Sequence, residues 1–331
     1  MNGHSTRVTA LAGGVGAARM LRGLAAVVGQ EALTAVVNTG DDTVLHGLYI
    51  SPDIDTVTYT LGGVANPGTG WGLAEESWAV MEALAQFEVG RTGLTWFNLG
   101  DRDLATHLFR TGRMAAGAPL SQVTAEVARR FGVKARLLPM SDDRVETRVT
   151  VELGPGETIF GGPGVVERGF QEYFVGLRHG IAVKSVRFAG AEQAAPAPGV
   201  LEAIEEADML VICPSNPIVS IGPLMAVGEI AEAVARRRES TVAVSPIIAG
   251  KALKGPADRM LAELGHEPSV VGVAEVWCSL AATLVVDDAD AGIAPMVEAR
   301  GMRCVVTPSI MSGPVEAANL ARAVLVAGGR S

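Results

Sequence analysis

Residues 7–37, RVTALAGGVGAARMLRGLAAVVGQEALTAVV, carry the pattern that decides the fold. A short apolar run at 7–12 predicts a buried strand, and a glycine-rich turn follows it. Residues 17–28 then place apolar side chains at helical spacing, and 33–37 form a second apolar run. A strand, a glycine turn, a helix and a strand in this order are typical of a parallel βαβ unit.

The same alternation continues along the chain. Apolar runs without strict polar alternation are each followed by Gly, Ser, Asn or Asp and then by a helical pattern. These runs predict further strands at 94–99, 209–213, 241–246, 283–286 and 303–306. Helices are predicted between them at 78–86, 104–113, 120–131, 224–238 and 315–326. We therefore predict an α/β protein with a doubly wound, mainly parallel (Rossmann-like) sheet.

The middle of the chain has a different pattern. Polar and apolar residues alternate at 136–138, 146–153, 157–160 and 183–188, around the turn sequence GPGE. This alternation is typical of strands with one solvated face. We predict a smaller, partly antiparallel α+β insertion at 135–195, between two parts of a Rossmann-like core at 1–134 and 196–331. A helix is expected to begin just after Pro198.

Composition excludes several classes of protein. The 331 residues are 48% apolar and 19% charged, which argues against intrinsic disorder and fibrous structure. With 27 basic and 36 acidic residues the net charge is −9, so a nucleic-acid partner is not expected. No run of about 18 apolar residues and no signal peptide is visible, so we expect a cytoplasmic protein without a membrane partner. The three cysteines are far apart and predict free thiols rather than disulfides or a zinc site.

The glycine turn is the first candidate binding element. Gly13, Gly14 and Gly16 lie between a strand and a helix, where backbone amides and the helix N-terminus favour a phosphate group. The dinucleotide fingerprint is incomplete, because Arg19 stands where a small residue belongs and the second strand ends in Asn38 instead of an acid. The pattern therefore favours a phosphate or diphosphate over NAD. A tight turn without a ligand is the alternative.

An acidic cluster follows the second strand, in the sequence VNTGDDTVLHGLYISPDIDT at 37–56. Asp41 and Asp42 come directly after the strand, and Asp53 and Asp55 precede a predicted helix. Four carboxylates in so short a stretch repel one another unless a cation lies among them. Their hard oxygen atoms suit Mg²⁺, which commonly shares its ligands with substrate phosphates. The alternative for a single residue is a local role, with Asp53 as a helix cap and Asp42 in a turn.

Two further loops follow predicted strands. FNLGDRDLATH at 97–107 places Arg102 between two aspartates at a strand-to-helix junction, where it is suited to a phosphate or a neighbouring carboxylate. His107 lies four residues after Asp103 on the same helical face, and a structural role is favoured for it. CPSNPIVSIGP at 213–223 offers Ser215 and Asn216 at the end of an apolar strand, suited to a base or a phosphate.

A fifth element repeats this arrangement in VSPIIAGKALKGPA at 244–257. Lys251 and Lys254 lie between glycines just after a predicted strand, which suits a phosphate contact. A solvated surface loop is the equal alternative. No Ser-His-Asp order and no GxSxG sequence is present, and the five histidines are too few for a His-rich metal site.

Taken together, these motifs resemble one known family. GGVGAAR, NTGDD, ISPDIDT, LGDRDLATH, LPMSDD, PSNPIVSIGP, VAVSPIIAGKALKGPA and GVAE occur in order from residue 13 to about 275. This set resembles the 2-phospho-L-lactate transferase family of coenzyme F420 biosynthesis, and within it the actinobacterial branch with a phosphoenolpyruvate-derived donor. The resemblance implies a Mg²⁺-dependent transfer. The ribityl hydroxyl of a deazaflavin attacks the substituted phosphate of a guanosine diphosphate-type donor, and GMP leaves.

The resemblance also implies roles for the candidate residues. Mg²⁺ would be held by Asp42 and Asp55, with Asp41 and Asp53 as alternates, and Asp55 would orient or deprotonate the attacking hydroxyl. The substrate-binding set would comprise Gly13, Gly14, Gly16, Asn38, Asp55, Asn98, Arg102, Ser215, Asn216 and Lys251. A homodimer is common for such folds and is expected here.

Two other functions remain open at this point. A related family with a similar fold binds a UDP-sugar and regulates metabolism without catalysis, although ISPDIDT and LGDRDLATH fit the transferase better. A nicotinamide-dependent dehydrogenase is permitted by the glycine turn alone, and Arg19 argues against it. The two possible three-carbon groups of the donor, phospholactyl and enolpyruvyl, differ only in unsaturation. No motif in the sequence indicates which of the two is bound.

Overall fold

β1 (Val8–Ala12) lies at the centre of a seven-stranded parallel sheet in this computed structural model, which describes residues 6–88, 93–155 and 162–329. It pairs with β2 (Leu33–Val37) on one side and β9 (Met209–Ile212) on the other. All five residues of β1 are buried. Burial on both faces explains why this strand is mainly apolar, as in other parallel sheets, and its one polar residue, Thr9, donates its hydroxyl to the Ala203 carbonyl.

The order of the strands creates a reversal beside β1. From one edge to the other the sheet contains β14 (Arg303–Val306), β13 (Thr283–Val286), β10 (Thr241–Val244), β9, β1, β2 and β5 (Arg136–Pro139). The chain builds outward from β1 through β2 to β5, and then returns to β9 and builds toward the opposite edge. The helices that follow β1 and β9 therefore lie on opposite faces of the sheet, and such a switch point opens a crevice at the carboxyl ends of the strands.

Helices cover both faces of the sheet. They are α1 (Gly14–Val28), α2 (Pro52–Leu61), α3 (Ala79–Ala85), α4 (Asp101–Ala115), α5 (Leu120–Arg130), α6 (Val200–Glu206), α7 (Gly222–Ala226), α8 (Gly228–Arg236), α9 (Ala257–Glu263), α10 (Val270–Trp277), α11 (Ala294–Glu298) and α12 (Pro314–Ala327). One core combines alternate residues of β1, such as Ala10, with α1, α2 and α12, and the other combines Leu11 with α6, α8 and α10. The predicted doubly wound α/β fold is confirmed.

Two predicted elements are wrong. Residues 94–99 form turns instead of a strand, and Leu99 is buried against Met81 and Ile50 in a small local cluster. Its apolar character therefore reflects packing between α3, α4 and a short hairpin, β3 (Thr43–Leu45) with β4 (Leu48–Ile50). The single helix predicted at 224–238 is divided into α7 and α8 at Val227, whose backbone is extended.

The middle segment forms its own antiparallel sheet of β6 (Glu146–Leu153), β7 (Gly164–Gly169) and β8 (Val183–Ala189). The burial of β6 alternates along its length, as its sequence predicts. β5, which we predicted within the insertion, instead pairs in parallel with β2 in the main sheet. The strand predicted at 157–160 lies outside the described residues. The exact domain boundaries stay predictions.

Three small elements complete the part of the fold that bears on the site. A hairpin of β11 (Ile247–Ile248) and β12 (Lys251–Ala252) follows β10. Wide helical turns at Glu172–Gly176 and Pro217–Ile221 follow β7 and β9. In the described residues no single helix is long and apolar enough to cross a membrane. One bent pair of helices, Pro217–Ala226 with Gly228–Arg236, has the length and composition of a membrane-crossing segment, by those two criteria alone.

Candidate active site

A cavity of about 850 Å³ opens at the carboxyl ends of the strands, beside the switch point between β1 and β9. Its walls come from the loops after β1, β2, β9 and β10, from the start of α2, from residues 309–312 and from the turn after β7. Ligands of doubly wound sheets bind at this location. A volume of this size is within the range of sites that bind small-molecule ligands.

Two loops meet at the switch point, and glycine makes their contact feasible. A Cβ atom on Gly16 would lie 2.2 Å from the carbonyl oxygen of Pro214, and one on Gly13 would lie 2.5 Å from that of Ser220. The hydroxyl of Ser215 donates a hydrogen bond to the Gly13 carbonyl. Two of the three glycines therefore have a packing role that the sequence analysis did not foresee. The N-cap residue of α1, Gly13, has no capping side chain, and the first turn of the helix lines the cavity.

Asn216 also has a structural role. Its Oδ1 accepts hydrogen bonds from the backbone N–H of Ile218 at 2.9 Å and of Val219 at 3.4 Å, and its Nδ2 lies 3.5 Å from the Met260 sulfur. It therefore caps the turn after β9. Ser215 and Asn216 line the cavity, as predicted, but most of their hydrogen-bonding capacity is used within the protein.

The four aspartates of the acidic cluster come together because α2 begins at Pro52 directly behind the loop after β2. Asp53 and Asp55 occupy its first turn. All four carboxylates are buried, with at most 6% of any residue exposed. Asp41, Asp53 and Asp55 line the large cavity, whereas Asp42 lines a separate pocket of about 120 Å³.

Asp42 and Asp55 have cationic partners within the protein. Both carboxylate oxygens of Asp55 accept hydrogen bonds from the Arg110 guanidinium, one of them at 3.1 Å. Asp42 accepts a hydrogen bond from the Ser51 hydroxyl at 2.8 Å and is attracted by Arg110 and Arg144. Bidentate Arg–carboxylate pairs are strong and directional. Of the two residues that the resemblance favoured as metal ligands, Asp55 is therefore already paired with a guanidinium. Asp42 lies near two guanidinium groups, although its Oδ1 is buried without a hydrogen-bond partner.

Asp41 and Asp53 have no ion-pair partner among the described residues. Asp53 accepts hydrogen bonds from Asn38 Nδ2 at 2.9 Å and from the Gly14 backbone, and Asp41 Oδ1 is buried without a hydrogen-bond partner. Burial raises the pKa of Asp53 to about 6, and burial together with the charge of Asp53 raises the pKa of Asp41 well above its usual range.

This pair of carboxylates fits a divalent cation. It offers hard oxygen ligands, a buried oxygen without a hydrogen-bond partner and negative charge that forms no ion pair among the described residues, next to the start of α1. We revise the predicted ligand set accordingly, with Asp41 and Asp53 preferred to Asp42 and Asp55. A second group of possible ligand atoms, on Asp55, Asp103 and His107, is compact, but Arg110 already engages both Asp55 oxygens.

A polar network on α4 contacts Asp55 of the acidic cluster. Asp103, His107 and Arg110 share one face of the helix. His107 lies between two carboxylates, with Nδ1 3.7 Å from Asp55 and Nε2 3.4 Å from Asp103, and the Tyr59 hydroxyl donates to Asp103 at 2.5 Å. Burial opposes the charge of Arg110, but Asp55 outweighs it and raises the guanidinium pKa. The sequence analysis missed Arg110 and Tyr59, although the 103, 107, 110 spacing was a usable signal.

The remaining predicted residues divide between the cavity and its surroundings. Asn98 lines the cavity. Asn38 lies behind Asp53 and holds it, without lining the cavity itself. Arg102 is directed away, since its Nη1 donates to the Ala74 carbonyl at 2.7 Å. Lys251 is exposed and pairs with Asp258 at 3.3 Å, whereas Lys254 lines the cavity.

Aromatic side chains form part of the cavity wall. Trp71, Trp96 and Phe97 contribute from the segment between α2 and α4, and Phe170 and Phe174 from the turn after β7. The rings of Phe170 and Phe174 are stacked, with centroids 5.3 Å apart. Flat aromatic surfaces of this kind suit a planar conjugated ligand. The insertion therefore contributes directly to the site.

The buried position of Asp42 predicts a pH-dependent stability. Burial raises its pKa from 3.8 to about 7, so between these values the folded state retains a proton that the unfolded state has lost. Stability should fall as the pH rises from 5 to 8, by about 2 kcal/mol from this group alone. Urea unfolding in EDTA should show a smaller decline in Asp42→Asn than in wild type. Equal declines in both proteins would contradict the assignment.

A family model and curated relatives match nearly the whole chain. The model of the family described as 2-phospho-L-lactate transferase CofD matches residues 8–301. A phosphoenolpyruvate transferase of Streptomyces griseus is 46% identical over 321 residues, covering 96% of this chain and 97% of its own. Proteins of the same name from Thermobifida fusca and Mycolicibacterium smegmatis are 43% and 40% identical, covering 96% of this chain and 97% and 98% of their own lengths.

A solved structure shows the same fold. A member of the UPF0052 family from Bacillus halodurans superimposes with a TM-score of 0.59 at 18% identity, covering 97% of this chain and 99% of that one. At this identity the likeness concerns architecture alone. The family match and the curated relatives extend across the Gly turn, the acidic cluster and the loop after β9. The chain is therefore a transferase that belongs to the 2-phospho-L-lactate transferase CofD family.

Proposed function

We propose that this transferase acts in coenzyme F420 biosynthesis. The terminal ribityl hydroxyl of 7,8-didemethyl-8-hydroxy-5-deazariboflavin attacks the phosphorus that bears the enolpyruvyl group of a guanosine diphosphate-type donor. A P–O bond forms to the ribityl oxygen, the P–O bond to GMP breaks, and the hydroxyl proton passes to a carboxylate. The products are GMP and dehydro coenzyme F420-0, or coenzyme F420-0 itself if the donor carries a 2-phospho-L-lactyl group.

The uncompensated pair Asp41 and Asp53 is the observation that carries this proposal. The two carboxylates lie in the cavity wall beside the N-terminus of α1, so a cation held between them and the helix amides face the same space. Phosphoryl transfer depends mainly on positioning and on neutralising charge, with little covalent chemistry for the protein to perform. The site therefore has the parts that a diphosphate donor requires.

The other residues of the site take supporting roles. Asp41 and Asp53 would hold Mg²⁺, which when bound neutralises the diphosphate. The backbone amides at the start of α1 bind phosphate oxygens, and the aromatic wall accepts the deazaflavin ring. Asp55 lines the cavity; burial raises the pKa of its carboxyl, which suits a group that takes up a proton, and Arg110 opposes this rise. We therefore assign to Asp55 the role of accepting the proton of the attacking hydroxyl.

The names of the relatives favour one donor. All eight that we compared are phosphoenolpyruvate transferases of actinobacteria, at 40–46% identity. We therefore propose the enolpyruvyl donor for this chain as well. The two donors differ by two hydrogens, so the mass of the product identifies the group that is transferred.

Mass spectrometry of the reaction tests the proposal directly. Purified protein is incubated with the deazaflavin, Mg²⁺ and each guanosine donor in turn, with EDTA in a parallel sample. We expect a deazaflavin phosphodiester and released GMP with the enolpyruvyl donor, and no product in EDTA. Absence of product with both donors, together with tight binding of a UDP-sugar, would replace the transferase by the regulatory function of the related family.

A further inference from the structure

Two cationic side chains line the cavity at a distance from the acidic cluster. Arg19 extends from α1, and Lys254 extends from the loop after β12. Among the described residues that line the cavity, these two are the arginine and the lysine. Arg19 is half-buried and Lys254 is exposed. Neither forms an ion pair with a carboxylate of the described residues. Two unpaired cations thus face a cavity whose other charged groups are acidic.

The two side chains converge on one turn. Lys254 Nζ lies 3.4 Å from the Thr69 carbonyl, and Arg19 Nη2 lies 3.8 Å from the position that a Cβ atom on Gly70 would occupy. Arg19 Nη1 donates to the Met311 carbonyl at 3.4 Å. These contacts are long and involve neutral acceptors, so most N–H donors of both side chains remain free for a ligand.

We propose that Arg19 and Lys254 bind the carboxylate of the three-carbon acid in the donor. This inference rests on the proposed function. In the proposed function the start of α1 and the cation at Asp41 and Asp53 bind the diphosphate of the donor. The carboxylate is the remaining anionic group of the donor and still needs a cationic partner. A guanidinium binds a carboxylate through two parallel hydrogen bonds, and an ammonium adds a point charge.

The position of Arg19 on α1 supports this assignment. It lies three residues beyond Gly16, which is about 4.5 Å farther along the helix axis. The carboxylate is attached through one carbon and one oxygen to the reacting phosphorus. The same helix can therefore present its N-terminal amides to the phosphate and a side chain of its second turn to the neighbouring carboxylate.

Binding measurements with two ligands test the assignment. Isothermal titration of Arg19→Gln and Lys254→Gln uses GDP, which lacks the carboxylate, and the enolpyruvyl guanosine donor, each with Mg²⁺ and without the acceptor. We expect each variant to bind the donor about 10- to 100-fold more weakly and GDP within about twofold of wild type. Lys134→Gln and Arg322→Gln remove surface cations far from the cavity and serve as controls.

The outcomes separate this inference from the proposed function. Equal weakening of GDP and donor would show that the pair binds a nucleotide phosphate, and unchanged affinity for both would show that it binds neither; both results overturn the assignment. If wild-type protein forms no product with either donor, the proposed function fails. If wild type turns over and the variants retain wild-type donor affinity, only the carboxylate site fails.

Discussion

Replacing Asp53 by Asn is expected to lower the transfer rate by roughly 1000-fold at saturating Mg²⁺. Asn keeps the acceptor oxygen that Asn38 Nδ2 and the Gly14 N–H use, so the surrounding hydrogen bonds can persist. The negative charge that faces Asp41 is lost, and with it half of the carboxylate pair that fits the cation. Steady-state kinetics across a Mg²⁺ series measure the effect.

The same substitution should stabilise the metal-free protein. Wild type buries two carboxylates side by side, and the charge of Asp53 contributes to the raised pKa of Asp41. Removing one charge relieves both the repulsion and the desolvation cost. The Tm of Asp53→Asn in EDTA at pH 8 should therefore exceed that of wild type, while added Mg²⁺ should raise the Tm of wild type more than that of the variant.

Asp288→Asn provides a matched control, since it makes the same chemical change at an exposed position outside the cavity. This control should match wild type in rate and in its response to Mg²⁺. The metal assignment would be untenable if Asp53→Asn retained the wild-type rate within about tenfold at every Mg²⁺ concentration. A lower Tm in EDTA would instead show that the Asp53 charge stabilises the fold.

Much of the architecture follows from local sequence. The runs at 7–12 and 33–37 predict parallel strands because apolar residues dominate them without strict alternation, and glycine at 13–16 predicts the turn between β1 and α1. The run at 94–99 is also mainly apolar, yet it packs Phe97 and Leu99 against α3 and α4 and forms no strand. A short apolar run in the sequence indicates that its residues are buried. It does not indicate whether they form a strand or which element they pack against.

The candidate site was predicted in location more than in detail. The short spacing of the four aspartates in the sequence predicts that they lie together at the cavity edge. It does not predict the direction of each side chain, so it does not distinguish Asp41 from Asp42. Arg110 is one cause of the difference, because it attracts Asp42 and binds Asp55. It is 55 residues from Asp55 in the chain and reaches it only because α4 packs against β4 and lies beside α2. Likewise, Lys251 and Lys254 look alike in sequence, and only the hairpin geometry directs Lys254 into the cavity.

Arg110→Met is expected to destabilise the protein by about 3–5 kcal/mol, the largest stability effect that we predict for a single residue. Only 1% of Arg110 is exposed, and its guanidinium engages both oxygens of Asp55. Methionine has a similar length, so the change leaves little empty space and mainly removes the charge. Urea unfolding with EDTA at pH 7 measures the loss through the change in midpoint at constant m-value.

A double-mutant cycle identifies the cause of this loss. If the cost of Arg110→Met comes from an unpaired buried Asp55 carboxylate, then Arg110→Met combined with Asp55→Asn should be more stable than Arg110→Met alone, by about 1–3 kcal/mol. If it comes from lost packing around the aliphatic part of Arg110, the two changes should simply add. Additive losses, or a single-variant loss below about 1 kcal/mol, would show that Asp55 does not depend on Arg110 for its charge. In that case Asp55 would again be available as a metal ligand, because its oxygens would not be committed to the guanidinium.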